Sequence, residues 1–100
     1  MAKDILASEL AAWRRQGLPV VVIDVRFDQI GTIPGSVHVP VTDLEDKEWD
    51  WEKTTKLVVC CQYGRGASEY AAEVLEEQGY KEVYKLKGGL DAWIAEFNLG

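Results

Sequence analysis

The stretch Leu57-Val58-Val59-Cys60-Cys61-Gln62-Tyr63-Gly64-Arg65-Gly66-Ala67-Ser68 decides the fold. Leu57 to Cys60 is a short continuous apolar run, the pattern of a strand covered on both faces. Gly64 and Gly66 then permit backbone angles that other residues resist. From Ala67 the period changes: Ala67, Ala71, Val74 and Leu75 share one helical face, while Glu69, Glu73, Glu76 and Glu77 fall largely elsewhere. Gly79 is placed to end that helix at its C′ position. Strand, cysteine, glycine loop and helix follow one another within about 20 residues, as expected of an α/β unit.

Such a junction has chemical consequences. A thiol at the mouth of a loop, just before a helix N-terminus, faces converging backbone N–H groups. That environment holds anions and favours thiolate over thiol. The alternative is an inert core cysteine that happens to end a strand. The two cysteines are adjacent, with Cα atoms ~3.8 Å apart, closer than the ~4.4–6.8 Å usual for a disulfide, so no Cys60–Cys61 bridge is expected. Strand alternation points Cys60 into the sheet packing and leaves Cys61 at the loop.

Outward from this stretch, the N-terminal half repeats the α/β pattern. Asp4 to Leu6 reads as a short strand, and Ser8 as the N-cap of a helix with Leu10 and Trp13 inward and Arg14 and Arg15 outward. Gly17 closes that helix and Pro19 prevents its resumption. Val20 to Ile23 is a second buried strand, ending in Asp24-Val25-Arg26. This spacing implies parallel strands with helices on both faces. A loop from Ile30 to Gly35 leads into a short strand, Ser36 to Val39, stopped by Pro40. Residues 41–55 read as loop and irregular helix. Val83 to Leu86 is the last strand, and Gly88-Gly89 opens a final helix with Leu90, Trp93, Ile94 and Phe97 inward.

Composition narrows the function classes. The chain has 100 residues, 47% hydrophobic and 28% charged, which suits one globular domain over residues 1–100. Its formal net charge of −6 argues against nucleic acid or an anionic membrane as partner. No apolar run is long enough to span a bilayer and no signal-peptide core follows Met1, so a cytoplasmic location is expected. Two cysteines and one histidine are too few for a structural zinc site, so no metal is expected. At net −6 the whole protein repels a dianion, so a small dianionic substrate is expected to bind weakly.

Three stretches then resemble the single-domain rhodaneses. Asp24-Val25-Arg26 followed by Ile33-Pro34-Gly35-Ser36-Val37-His38-Val39-Pro40 is similar to that family's first signature. Cys61-Gln62-Tyr63-Gly64 resembles the opening of its active-site loop, and Val83 to Trp93 its C-terminal signature. The resemblance implies a three-layer sandwich, with a central, mainly parallel sheet of about five strands flanked by helices. It also implies a sulfurtransferase working through a persulfide on Cys61, with no cofactor. Gln62, Tyr63, Gly64, Arg65, Gly66 and Ala67 would form the substrate-binding loop. The substrates would be a small anionic sulfur donor such as thiosulfate and a thiol or cyanide acceptor, a protein thiol included.

Several residues depart from the family pattern. The segment between Arg26 and Gly31 is short, Thr32 stands where histidine is common, and the spacing from Cys61 to Gly79 is one residue longer than usual. An enlarged loop resembles that of the phosphatases and arsenate reductases of this fold, which is one alternative function. Those enzymes need an arginine late in the loop, where Ala67 and Ser68 stand here. The other alternative is a non-catalytic interaction module. Arg65 is expected to bind the anionic end of a donor or to stabilise the thiolate. Asp24 and Arg26 are expected to be structural, His38 a satisfied core or edge histidine, and Trp49 and Trp51 a satellite cluster under a loop.

Overall fold

The computed structural model describes residues 2–27, 33–46, 49–63 and 66–97. Its strands are β1 (Lys3–Ile5), β2 (Val20–Asp24), β3 (Val37–His38), β4 (Lys56–Cys60) and β5 (Glu82–Leu86). Its helices are α1 (Ala7–Arg15), α2 (Val41–Leu44), α3 (Ala67–Glu77) and α4 (Gly89–Phe97). The strands form one sheet in the order β1-β5-β4-β2-β3, and every pair in it is parallel. The family architecture implied by the sequence is therefore present, with a sheet that is parallel throughout.

The apolar run of β4 has a structural cause. β4 lies at the centre of the sheet, so both of its faces are covered. Leu57 and Val59 pack on one side, with Ile23 and Val83 and with Ala71 and Leu75 of α3. Val58 and Cys60 pack on the other, with Val22 and Leu86, Leu10 of α1 and Leu90 of α4. Alternation along each strand thus sorts the chain into two cores, one under α2 and α3 and one under α1 and α4.

Connectivity positions the site. From β2 the chain moves outward to the edge strand β3, and from β4 it crosses in the opposite direction to β5. Adjacent strands whose continuations diverge leave a crevice at their carboxyl ends, and this is where ligands bind in open α/β sheets. Here the divergent neighbours are β2 and β4, in register from Val20↔Lys56 to Asp24↔Cys60. Gly88, at φ +75°, makes the turn into α4, and a Cβ there would stand 2.6 Å from that of Ala92. Any other residue would have to displace the first turn of that helix.

Three expectations are corrected. The first strand ends at Ile5, not Leu6. Ser8 does not cap α1: the helix already begins at Ala7, and the Leu6 N–H donates to Oε1 of Glu9 at 3.0 Å. A glutamate reaching back thus satisfies the backbone where a serine cap was expected. Of the four large apolar residues of α4, Leu90 is buried and Trp93 packs beside it, whereas Ile94 and Phe97 are 39% and 38% exposed. Helix α1 packs against α4, where Arg14 lies 6.0 Å from the Trp93 ring, and that ring in turn lies 4.4 Å from the ring of Phe97 in the last turn.

Candidate active site

Cys61 is the first residue beyond β4, at the carboxyl end of the central strand. It is 6% exposed and packs against the α2/α3 core, while Cys60 is fully buried in the opposite core. The two thiols are not joined in a disulfide. Burial pushes the Cys60 thiol up to about 12, with the Asp24 carboxylate adding to the rise. Burial thus disfavours the thiolate form of Cys60 at neutral pH.

The backbone around Cys61 is held from two sides. Val25 N–H donates to the Cys60 carbonyl at 3.0 Å and continues the β2–β4 ladder. From the other side, the first turn of α4 donates Leu90 N–H to the Cys61 carbonyl at 2.8 Å and Asp91 N–H to the Gln62 carbonyl at 3.0 Å. The first N–H groups of a helix have no partner within it, and here two of them fasten the loop that carries the thiol.

Arg26 reaches this loop from β2. Its guanidinium donates to both oxygens of the fully buried Asp24, Nε to Oδ1 at 3.0 Å and Nη2 to Oδ2 at 2.8 Å. Nη1 donates to Oε1 of Gln62 at 3.0 Å. The pair is structural, as expected, yet it also joins the ends of β2 and β4 and contributes a wall of the site. Reading the sequence alone missed that second role. The signal was the matching position of Asp24-Val25-Arg26 and Cys60-Cys61-Gln62 at the ends of two strands that turn out to be neighbours. His38, on edge strand β3, donates from Nε2 to the Arg26 carbonyl at 2.6 Å. A carbonyl can only accept, so Nε2 is the donor in this contact.

A cavity of about 490 Å³ opens at this point. Val25, Arg26 and Phe27 line it from the end of β2, and Cys61, Gln62 and Tyr63 from the end of β4. Gly66 and Ala67 close it at the start of α3, and Val41 at the start of α2. Of the substrate-binding residues expected from sequence, Gln62, Tyr63, Gly66 and Ala67 are thus brought together around Cys61. Gly64 and Arg65 lie outside the described residues. Gly66 has φ +62°, as a glycine entering α3 can. Glu69 lines a different hollow, beside Ala2 and Lys85.

Trp49 and Trp51 do not line the cavity. Their rings stack at 4.7 Å, and Trp51 meets Tyr80, which follows α3, at 6.3 Å. They pack with Tyr80 against the α2/α3 core and belong to it, where a separate satellite cluster under a loop was expected. Among the described residues, no group of three or more His, Cys, Asp or Glu side chains is placed to hold a metal ion, and no helix is long and apolar enough to cross a membrane.

The chain is similar to known proteins in sequence and in fold. Residues 6–96 match the family model of the Rhodanese-like domain. The thiosulfate sulfurtransferase GlpE of Ectopseudomonas mendocina (strain ymp) is 39% identical over 80 residues, covering 77% of this chain and 72% of the relative. The thiosulfate sulfurtransferase GlpE of Pseudomonas syringae pv. syringae (strain B728a) is 38% identical over 96 residues, covering 91% and 86%. A rhodanese-related protein from Thermoplasma volcanium superposes with a TM-score of 0.79 at 28% identity, covering 95% of this chain and 93% of the other. The human single-domain sulfurtransferase TSTD1 shares the fold, with a TM-score of 0.84 at 24% identity and coverage of 96% and 98%.

Proposed function

The chain belongs to the rhodanese-like domain family, and on that premise we propose that it is a sulfurtransferase that carries sulfane sulfur as a persulfide on Cys61. The observation that supports this most is the division of the two cysteines. Cys61 stands at the wall of the cavity, at the carboxyl end of the central strand, while Cys60 is sealed in the other core. The relatives named as thiosulfate sulfurtransferases point to thiosulfate as one donor.

The reaction is a double displacement. Cys61 thiolate attacks the outer sulfur of thiosulfate, the S–S bond of the donor breaks, and sulfite leaves with the bonding pair. Cys61 is left as the persulfide. A second nucleophile, a thiolate or cyanide, then takes the outer sulfur and releases Cys61 thiolate. The covalent intermediate divides one transfer into two easier steps. Gln62, Tyr63, Gly66 and Ala67 line the cavity beside Cys61; Gln62 is held by Arg26, and the carbonyls of Cys61 and Gln62 by α4. The chemistry starts from a reduced thiol, which suits the cytoplasm.

Intact mass spectrometry tests this reading. Incubation with thiosulfate should add one sulfur, about 32 Da, and cyanide should remove it. The gain should vanish in Cys61→Ser and persist in Cys60→Ala. Sulfur found on Cys60 overturns the assignment. Turnover of phosphate esters with no sulfur gain favours the phosphatase chemistry of the same fold.

A further inference from the structure

The cavity beside Cys61 is larger and less polar than a small inorganic dianion requires. At about 490 Å³ it falls within the roughly 300–1,000 Å³ that encloses drug-sized organic ligands. Val25, Val41 and Ala67 line it, and Phe27 and Tyr63 stand at its mouth, 66% and 62% exposed. Among the described residues, these are two aromatic side chains largely open to water beside Cys61, a surface suited to an apolar ligand. Among the described residues Arg26 is the one charged side chain in the wall, and its guanidinium is committed to Asp24 and Gln62. The net charge of −6 adds a field that disfavours anions.

We propose that the sulfur acceptor of this site is a low-molecular-weight thiol with an uncharged aromatic or aliphatic body, seated between Phe27 and Tyr63 with its sulfur against Cys61. The inference rests on the sulfurtransferase reading above. In the step concerned, the acceptor thiolate R–S⁻ attacks the outer sulfur of Cys61–S–SH. The new bond gives R–S–SH, the old S–S bond breaks, and its electron pair leaves with Cys61 as thiolate. The proton stays on the transferred sulfur and nothing is oxidised or reduced. Burial of the apolar body between the rings lowers the barrier for this acceptor and supplies nothing to a sulfonate or cyanide.

The test separates loading from unloading. Cys61 is loaded with thiosulfate or with inorganic polysulfide, excess donor is removed, and the sulfur is counted by intact mass. No sulfur on Cys61 from either source overturns the sulfurtransferase reading and this inference with it. The loaded protein is then mixed with phenylmethanethiol or with 2-mercaptoethanesulfonate, two alkyl thiols of similar acidity, and loss of sulfur is followed in time. Phenylmethanethiol should unload the protein at least about tenfold faster at equal thiolate concentration. The advantage should shrink to about threefold or less in Phe27→Ser, and further in the Phe27→Ser, Tyr63→Ser double variant. Both side chains are exposed, so the variants keep the core. Loading with equal unloading rates, or a faster sulfonate, overturns the inference while leaving the persulfide intact. So does an advantage that survives both serine substitutions.

Discussion

Cys60 and Cys61 are neighbours in the chain and occupy opposite chemical worlds. Cys60 ends β4 with its side chain among Leu10, Val58 and Leu90, fully buried. Cys61, one residue on, turns to the other side and borders a cavity open to water. The same functional group is thus a packing unit at one position and, in the function proposed above, the nucleophile at the next. The period-two geometry of a strand makes the separation, and the end of the strand supplies the opening. No special residue type is required, only a count.

The largest effect should come from exchanging the two roles. Cys61→Ser should lower kcat/KM for sulfur transfer by at least about a thousandfold, because the nucleophile is gone. Cys60→Ala should keep transfer within about threefold and lower stability by about 1–2 kcal/mol through a small cavity. Steady-state assays with paired urea melts measure both. A folded Cys60→Ala protein that has lost transfer would break the comparison.

The Asp24–Arg26 pair, which faces Cys60 and braces Gln62, offers a second handle. Arg26→Ala leaves the Asp24 carboxylate buried without its bidentate partner and should cost about 3 kcal/mol. Urea unfolding at pH 7 reads this directly. A loss under about 1 kcal/mol would mean that water or a rearranged neighbour satisfies Asp24, and that the pair does not define the wall between the two thiols.

A smaller effect sharpens the buried side of the comparison. Burial pushes the Cys60 thiol from its ordinary 9.0 up to about 12. Above the lower value the unfolded chain releases this proton while the folded chain keeps it. The unfolded state then binds fewer protons, so stability is full below that window and falls as pH rises through it. By pH 10.5 the Cys60 contribution should amount to about 2 kcal/mol. Urea midpoints from pH 8 to pH 10.5 should therefore fall more steeply in the wild type than in Cys60→Ala. Parallel slopes would show that Cys60 ionises without resistance and is not sealed as described.

Much of this could be read before any coordinates. The run from Leu57 to Cys60 announced a doubly covered strand because a central parallel strand meets only apolar neighbours. Alternation then separated Cys60 from Cys61. What escaped was non-local. That Arg26 stands beside Cys61 follows from the pairing of β2 with β4, strands separated by more than 30 residues, and no local pattern states which strands are neighbours. The start of α1 was misread because Ser8 and Glu9 both carry N-terminal signals and the glutamate prevailed. The last turn of α4 was misread because periodicity marks an apolar stripe without telling how far the opposing surface extends.

The two amide bonds from α4 to the loop, Leu90 to Cys61 and Asp91 to Gln62, have a consequence for how such a domain can change over generations. They connect main chain to main chain, so they are indifferent to the side chains at all four positions. Drift at residues 61 and 62 can exchange one reactive group for another, or remove it, while the frame that presents the position stays where it is. Proline at 90 or 91 is the exception, since it has no amide hydrogen to give. A domain built this way can lose its reaction and keep its shape, and so pass from catalyst to mere binding partner by a single substitution.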